Sequence, residues 1–179
     1  MNRRAFVTVI ASAFSGLLAG GRAFAASLQE IRTGWRDFAP DGAEFPRPGQ
    51  ELARSREAWQ EVLEPLPFRV LREAHTERAG SSVLNGEKRR GLYVCAGCDL
   101  PLFTSQMKFD SGTGWPSFFT TIPDVFETKL DFVWLVPRTE YHCVRCGGHH
   151  GHVFDDGPPP THERWCNNGA ALRFIPSDA

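Results

Sequence analysis

Five cysteines hold most of the chemistry this chain offers, and four of them form two C-x-x-C pairs, Cys95-Ala96-Gly97-Cys98 and Cys143-Val144-Arg145-Cys146. Each pair follows a short apolar run (Leu92 to Val94, and Tyr141-His142) and has a glycine inside it or just after it, Gly97 and Gly147. Two such turns facing each other present four thiolates tetrahedrally, the ligand set of a structural zinc ion, one per chain. Iron accepts the same cage. A four-thiolate site leaves no open coordination position, so its role is structural and its binding energy supports folding. Two disulfides, or a thioredoxin-type redox pair, are the alternatives. Duplicate C-x-x-C disulfides would be unusual, and neither pair stands in a βαβ pattern, so the metal site is the reading adopted.

Cys166 is left over. A lone cysteine is commonly a small buried apolar group. Here Arg164 stands two residues before it, on the same face if the segment is a strand, and a nearby cation favours the thiolate. Asn168 stands two residues after it. Upstream, His149-His150-Gly151-His152-Val153-Phe154 supplies acid–base groups. Thiolate, cation, amide and imidazole make a nucleophilic site, although spacing alone leaves both readings of Cys166 open. His149 and His152 also read as a second metal site or as polar loop groups. They lack the i, i+4 spacing and intervening Glu of a helical zinc protease. His142, beside Cys143, reads as a neighbour of the metal cage. His75 and His162 carry no argument.

The elements that must position these groups are short. Phe (14) outnumbers Tyr (2), and Gly and Pro are frequent, which favours strands and turns over a helical bundle. Ser27 to Pro48 reads as an extended arm. Ser55 to Leu63 reads as a helix, with Trp59 and Leu63 on one face and Pro65 and Pro67 stopping it. Phe68 to His75 reads as a second short helix with Val70 and Leu71 inward. Leu92–Val94, Phe132–Val136, Tyr141-His142, His152–Phe154 and Ala171–Ile175 read as strands. Asp155 to Pro160 reads as a rigid loop. With 41% hydrophobic residues, the chain has enough apolar material for one mainly antiparallel β domain with peripheral helices.

The first 25 residues are set apart as an export signal. Arg3 and Arg4 precede an apolar run, Ala5 to Gly20, and Ala23-Phe24-Ala25 offers a cleavage site. An uncleaved anchor is the alternative, but the run is short and rich in Ser and Gly for a span. The paired arginines resemble a twin-arginine signal, which exports folded chains. That predicts a periplasmic or secreted protein with no stable membrane insertion after cleavage. Loss of Arg3, Arg4 and Arg22 from a chain of 20 basic and 21 acidic residues leaves a mature net charge of about −4, with no nucleic-acid-binding surface. Residues 26–66 form an N-terminal arm with a short helix, and 67–179 the main domain. We expect a monomer.

Three segments together resemble the type B methionine sulfoxide reductases: Phe109-Asp110-Ser111-Gly112-Thr113-Gly114-Trp115-Pro116-Ser117-Phe118, then Gly148-His149-His150-Gly151-His152-Val153-Phe154-Asp155-Asp156-Gly157-Pro158, then Arg164-Trp165-Cys166-Asn167-Asn168-Gly169-Ala170-Ala171-Leu172-Arg173-Phe174. The C-x-x-C pairs fall where zinc-containing members carry theirs, and the likeness runs from about Phe68 to Pro176. The resemblance implies a mainly β fold, two small antiparallel sheets with peripheral short helices and a four-cysteine zinc site in a single domain. It implies reduction of the R epimer of methionine sulfoxide, free or in proteins, and so repair of oxidised exported proteins. In that chemistry Cys166 attacks the sulfoxide sulfur and His152 protonates the departing oxygen. His149 holds the oxygen or a water, Arg164 favours the thiolate, and Asn168 orients a histidine or the oxygen. Trp115 and Phe154 contact the substrate, the indole walling its S-methyl group. Methionine leaves and Cys166 remains as sulfenic acid.

One departure matters. Many members carry a resolving cysteine where this chain has Thr113, and there is no sixth cysteine. The expectation is a one-cysteine enzyme whose sulfenic acid is reduced by an external thiol, thioredoxin-like or glutathione-type. Thr113→Cys is then expected to form a disulfide with Cys166. Trp165, where Tyr is common, and His150 are smaller departures. Two rival readings, a zinc-ribbon binding module and a zinc hydrolase, leave the Trp115 segment or the four-thiolate count unexplained.

Overall fold

The structure, a computed structural model, describes residues 28–132 and 137–178. The expected export signal lies outside the described residues, as do 133–136 of the expected strand Phe132–Val136. Its first residue, Phe132, is not in a strand.

Prolines start a helix here rather than only ending one. Helix α1 (Arg56–Val62) is capped by Ser55, whose hydroxyl accepts from the Ala58 amide at 3.2 Å. Pro65, expected as a stop, opens α2 (Pro65–Glu73), because a first-turn residue needs no N–H donor. The helix closes on Ala74 in the left-handed region, φ 51°. Trp59 of α1 and Phe68, Val70 and Leu71 of α2 are buried in the main core. The expected extended arm is helical over residues 28–33 and continues as a 3-10 turn, Gly34–Phe38. No proline precedes Pro40, and Leu28, Ile31 and Trp35 share one helical face, so the local sequence permits this turn.

Among the described residues nine strands form two antiparallel sheets. The smaller has the order β2 (Pro101–Thr104), β1 (Gly91–Cys95), β9 (Leu172–Pro176). Every residue of β1 is buried. Leu92 and Val94 meet Phe38 of the arm, while Tyr93 and Cys95 face the main core, so β1 reads as an unbroken apolar run.

The larger sheet has the order β3 (Lys108–Phe109), β4 (Ser117–Phe118), β8 (Arg164–Asn167), β7 (His149–Phe154), β6 (Arg138–Cys143), β5 (Phe126–Asp131). One of its faces packs aromatic rings into the core. Phe103 stacks on Phe118 at 3.9 Å, and Tyr141 meets Phe126 and Trp165 at 4.7 and 4.9 Å. β5 is a charged edge strand, Phe-Glu-Thr-Lys-Leu-Asp, with an exposed middle. That polarity hid it from apolar-run reasoning. Among the described residues no helix is long and apolar enough to cross a membrane.

Candidate active site

Strand register builds the site. Reading across the larger sheet, Lys129, Glu140, His152, Cys166 and Ser117 stand opposite one another on β5, β6, β7, β8 and β4. Directly opposed residues share a face. His149, three residues before His152, would ordinarily point the other way. A register shift at Tyr141/His142 inserts an extra residue into β7, so Tyr141 pairs with Gly151 and His142 with His149. His149 thereby joins His152 on the Cys166 face, with ring centroids 5.6 Å apart. His150 turns instead into the core, where its Nδ1 lies 3.2 Å from the Asn167 carboxamide oxygen. Gly151 is required here. A Cβ on it would stand 1.9 Å from the Cys166 carbonyl oxygen.

Each imidazole is held by a carboxylate. His149 Nδ1 lies 2.8 Å from Glu140 Oε1, and Lys129 lies 3.3 Å from the other oxygen of that carboxylate. The carboxylate can only accept, so Nδ1 carries the proton and Nε2 keeps a lone pair. That buried Nε2 has no protein partner. Burial pushes the His149 pKa below its ordinary value, against the pull of Glu140, so the ring is neutral. His152 Nε2 lies 2.8 Å from Asp131 Oδ2, which Arg138 also contacts at 2.6 Å.

Cys166 is half-buried and carries a free thiol. Burial raises its pKa above the ordinary thiol value. Arg164 and Thr113 draw it part of the way back, and Asp156 opposes them. Burial outweighs the guanidinium, so the net shift is upward. Arg164 is itself clamped by Asp156, with contacts of 2.7 and 3.0 Å, and its guanidinium lies 4.2 Å over the Phe154 ring. Phe154 pairs with Arg164 across β7 and β8, which places both on the Cys166 face.

Trp115 and Asn168 stand differently. Trp115 is half-buried, and its indole N–H donates to the Glu77 carbonyl at 3.1 Å. Asn168 lies beyond the end of β8. Its carboxamide accepts from the Glu77 amide at 3.0 Å and donates to the His150 carbonyl at 2.9 Å. It therefore braces the backbone beneath the site. The buried Glu77 carboxylate accepts from the amides of Gly169 and Ala170 at 2.6 and 2.9 Å. Sequence reasoning missed Glu77, Asp131 and Glu140, since only strand pairing and long-range packing bring them in. Asp156 lay within a quoted motif and was legible as a partner for a nearby cation.

The four remaining cysteines form a separate buried cluster whose sulfur atoms lie within 4.8 Å of one another. Cys95 faces Cys146, and Cys98 faces Cys143, each at 3.6 Å. A tetrahedron of thiolates about 2.3 Å from a central ion has edges of about 3.8 Å, so this donor set fits a metal of zinc's size. Disulfide bonding requires a far shorter separation, about 2.05 Å. Gly147 turns the second pair at φ 65°. Arg72 donates to the Cys146 carbonyl at 2.8 Å, and Arg145 to the Cys98 carbonyl at 2.9 Å, pinning both turns. Among the described residues this is the one group of His, Cys, Asp and Glu side chains placed to hold a metal ion; the His149–His152 pair makes no second one.

Comparison with known proteins gives the chain its relatives. Residues 63–176 match the SelR domain. The chain is 47% identical over 131 residues to the peptide methionine sulfoxide reductase MsrB of Pseudomonas putida (strain W619), covering 72% of this chain and 98% of the relative. It is 48% identical over 124 residues to the protein of that name from Methanosarcina barkeri (strain Fusaro / DSM 804), covering 69% and 87%. It is 43% identical over 136 residues to the chloroplastic peptide methionine sulfoxide reductase B1 of Arabidopsis thaliana, covering 75% and 67%.

Proposed function

The chain belongs to the type B methionine-R-sulfoxide reductases and is a methionine sulfoxide reductase, and from that premise we propose how its residues carry out the reaction. The observation that carries the reading is the shared face of His149, His152 and Cys166, created by the bulge in β7.

Cys166 sulfur adds to the sulfoxide sulfur as its thiolate. The oxygen takes up a proton and passes to Cys166. The sulfoxide sulfur is reduced by two electrons and leaves as a thioether, while Cys166 is oxidised by two electrons to the sulfenic acid. His152, oriented by Asp131, is the acid for that oxygen. The His149 lone pair accepts from a water whose other hydrogen points at the oxygen. Arg164, fixed by Asp156, supports the developing thiolate. Trp115 and Phe154 give apolar surface for the substrate's methyl group and chain. Asn168 holds the segment that carries them in register. The four-cysteine cluster would hold zinc, in a structural role only. Cys95, Cys98, Cys143 and Cys146 would use all four of its positions, so they tie β1 and the end of β6 together without touching substrate.

The substrate is the R sulfoxide, free or in a peptide, and an external thiol, thioredoxin-like or glutathione-type, regenerates the one catalytic cysteine of a monomer. The resemblance of residues 1–25 to a twin-arginine signal supports a periplasmic or secreted repair role for exported proteins. The test offers the R and S epimers to wild type and to Cys166→Ser, with dithiothreitol as donor. R-only turnover that falls at least about a thousandfold in the variant is expected. Undiminished turnover in a folded Cys166→Ser protein would remove Cys166 from the reaction.

A further inference from the structure

The row across the sheet continues past Cys166, on the side away from the imidazoles, into hydroxyl groups that the reaction above does not use. Ser117 is fully buried and stands directly opposite Cys166. Its Oγ lies 2.7 Å from Ser111 Oγ, which in turn lies 2.8 Å from Thr113 Oγ1. Ser117 also reaches the Trp115 carbonyl at 3.1 Å. Thr113 is also one of the groups that draw the Cys166 thiol pKa down, so this end of the chain lies by the sulfur that Ser117 stands opposite.

Each hydroxyl has one hydrogen to give and two lone pairs to receive with. A chain of three therefore has two self-consistent settings. In the first, Ser117 donates to Ser111, Ser111 to Thr113, and Thr113 gives its hydrogen to the sulfur. In the second, Thr113 donates to Ser111, Ser111 to Ser117, and Ser117 to the Trp115 carbonyl, so that Thr113 offers Cys166 only a lone pair. The carbonyl at the far end gives the last hydrogen a place in the second setting.

We propose that this hydroxyl chain serves Cys166 in both of its redox forms: Thr113 donates to the thiolate and, with the chain reversed, accepts from the O–H of the sulfenic acid. Thr113 is then a further catalytic residue, and Ser111 and Ser117 position it. The inference rests on Cys166 being the nucleophile. It fits a chain with no sixth cysteine, since the sulfenic acid must wait for a thiol from outside. That thiol attacks the Cys166 sulfur as its thiolate, the S–O bond breaks, and a mixed disulfide forms. The departing oxygen leaves as water, carrying the sulfenic hydrogen and the proton lost by the thiol. A second thiol then cleaves the mixed disulfide and returns Cys166 to its starting form. While it waits, an unheld sulfenic acid is open to further oxidation.

The test uses the metal-loaded full chain and three variants, Thr113→Val, Thr113→Ser and Ser111→Ala. The first readout is the pH midpoint of Cys166 alkylation by iodoacetamide, followed on the Cys166 peptide by mass spectrometry. Thr113→Val is expected to move that midpoint up by about 0.5 to 1 unit, Ser111→Ala to move it less in the same direction, and Thr113→Ser to leave it in place. The second readout follows one turnover without reductant and then addition of hydrogen peroxide. Conversion of sulfenic to sulfinic acid is expected to run about fivefold faster in Thr113→Val, the loss of roughly one hydrogen bond. Wild-type behaviour of Thr113→Val in both readouts would overturn the hydroxyl chain while leaving Cys166 as nucleophile. Retained turnover in Cys166→Ser would overturn the reading beneath it. Should the valine variant fail to fold, Ser111→Ala decides, and an unmoved midpoint there counts against the chain.

Discussion

The molecule uses cysteine twice, and the two regions differ in what surrounds the sulfur. In the cluster, each thiol has other thiols as neighbours, all are buried, and backbone carbonyls of the turns are tied down by Arg72 and Arg145. At the other site one thiol shares a sheet face with a guanidinium, a buried hydroxyl and two carboxylate-held imidazoles. The same side chain is a staple in one place and a reagent in the other, and its neighbours decide which. If that is right, damage to the first region costs the fold, and damage to the second costs only turnover.

The largest effect is expected at the cluster. Stripping the metal with a chelator should abolish cooperative thermal melting, because structural zinc commonly supplies about 10 kcal/mol or more. Unchanged melting of metal-free protein would erase the contrast. The next largest belongs to His152→Gln, which is expected to lower turnover by about a hundredfold to ten-thousandfold with melting unaltered. A fall in metal content in that variant would show that the regions are not separate. Arg164→Met is expected to act more mildly. Burial already holds the Cys166 pKa above its ordinary value, so thiolate is scarce at neutral pH and substrate-free alkylation should rise with pH. Removing the guanidinium should move that rise to still higher pH and slow alkylation about tenfold at pH 7. A shift to lower pH would contradict the placement of Arg164.

The smallest effect sits between the regions, at His150. Burial drives its pKa down to about 3, so it is neutral when folded, whereas the unfolded ring takes a proton below about 6.5. The folded state therefore binds fewer protons over that window, and stability is lost as pH falls from about 6.5 towards 3. His150→Leu should flatten this loss when melting is followed between pH 7 and pH 5. An unchanged slope would mean that His150 takes no part in acid sensitivity.

The sequence made some of this legible and concealed the rest. The two C-x-x-C pairs are local patterns, and the cluster they form needed no knowledge of the fold. Strand alternation was enough to put Arg164 on the face of Cys166, whereas the nucleophilic role of Cys166 was drawn from the family resemblance and not from spacing. Placing His149 and His152 on one face was not legible, because alternation forbids it and only the bulge in β7 permits it. Asp131 and Glu140 sit on strands whose pairing partners no local pattern reveals. β5 was missed because a charged edge strand does not look apolar, and Pro65 was read only as a stop: the first helix does end before it, but it also opens the next one. Glu77 lies about 90 residues from the amides it holds and left no local trace.

The most direct test of the division between the two regions is native mass spectrometry of the metal-loaded chain after one turnover with the R sulfoxide and no reductant, followed by peptide mapping. One added oxygen is expected, located at Cys166, with the metal still bound by the other four cysteines. Metal release, with a disulfide joining Cys166 to one of those four, would contradict that division.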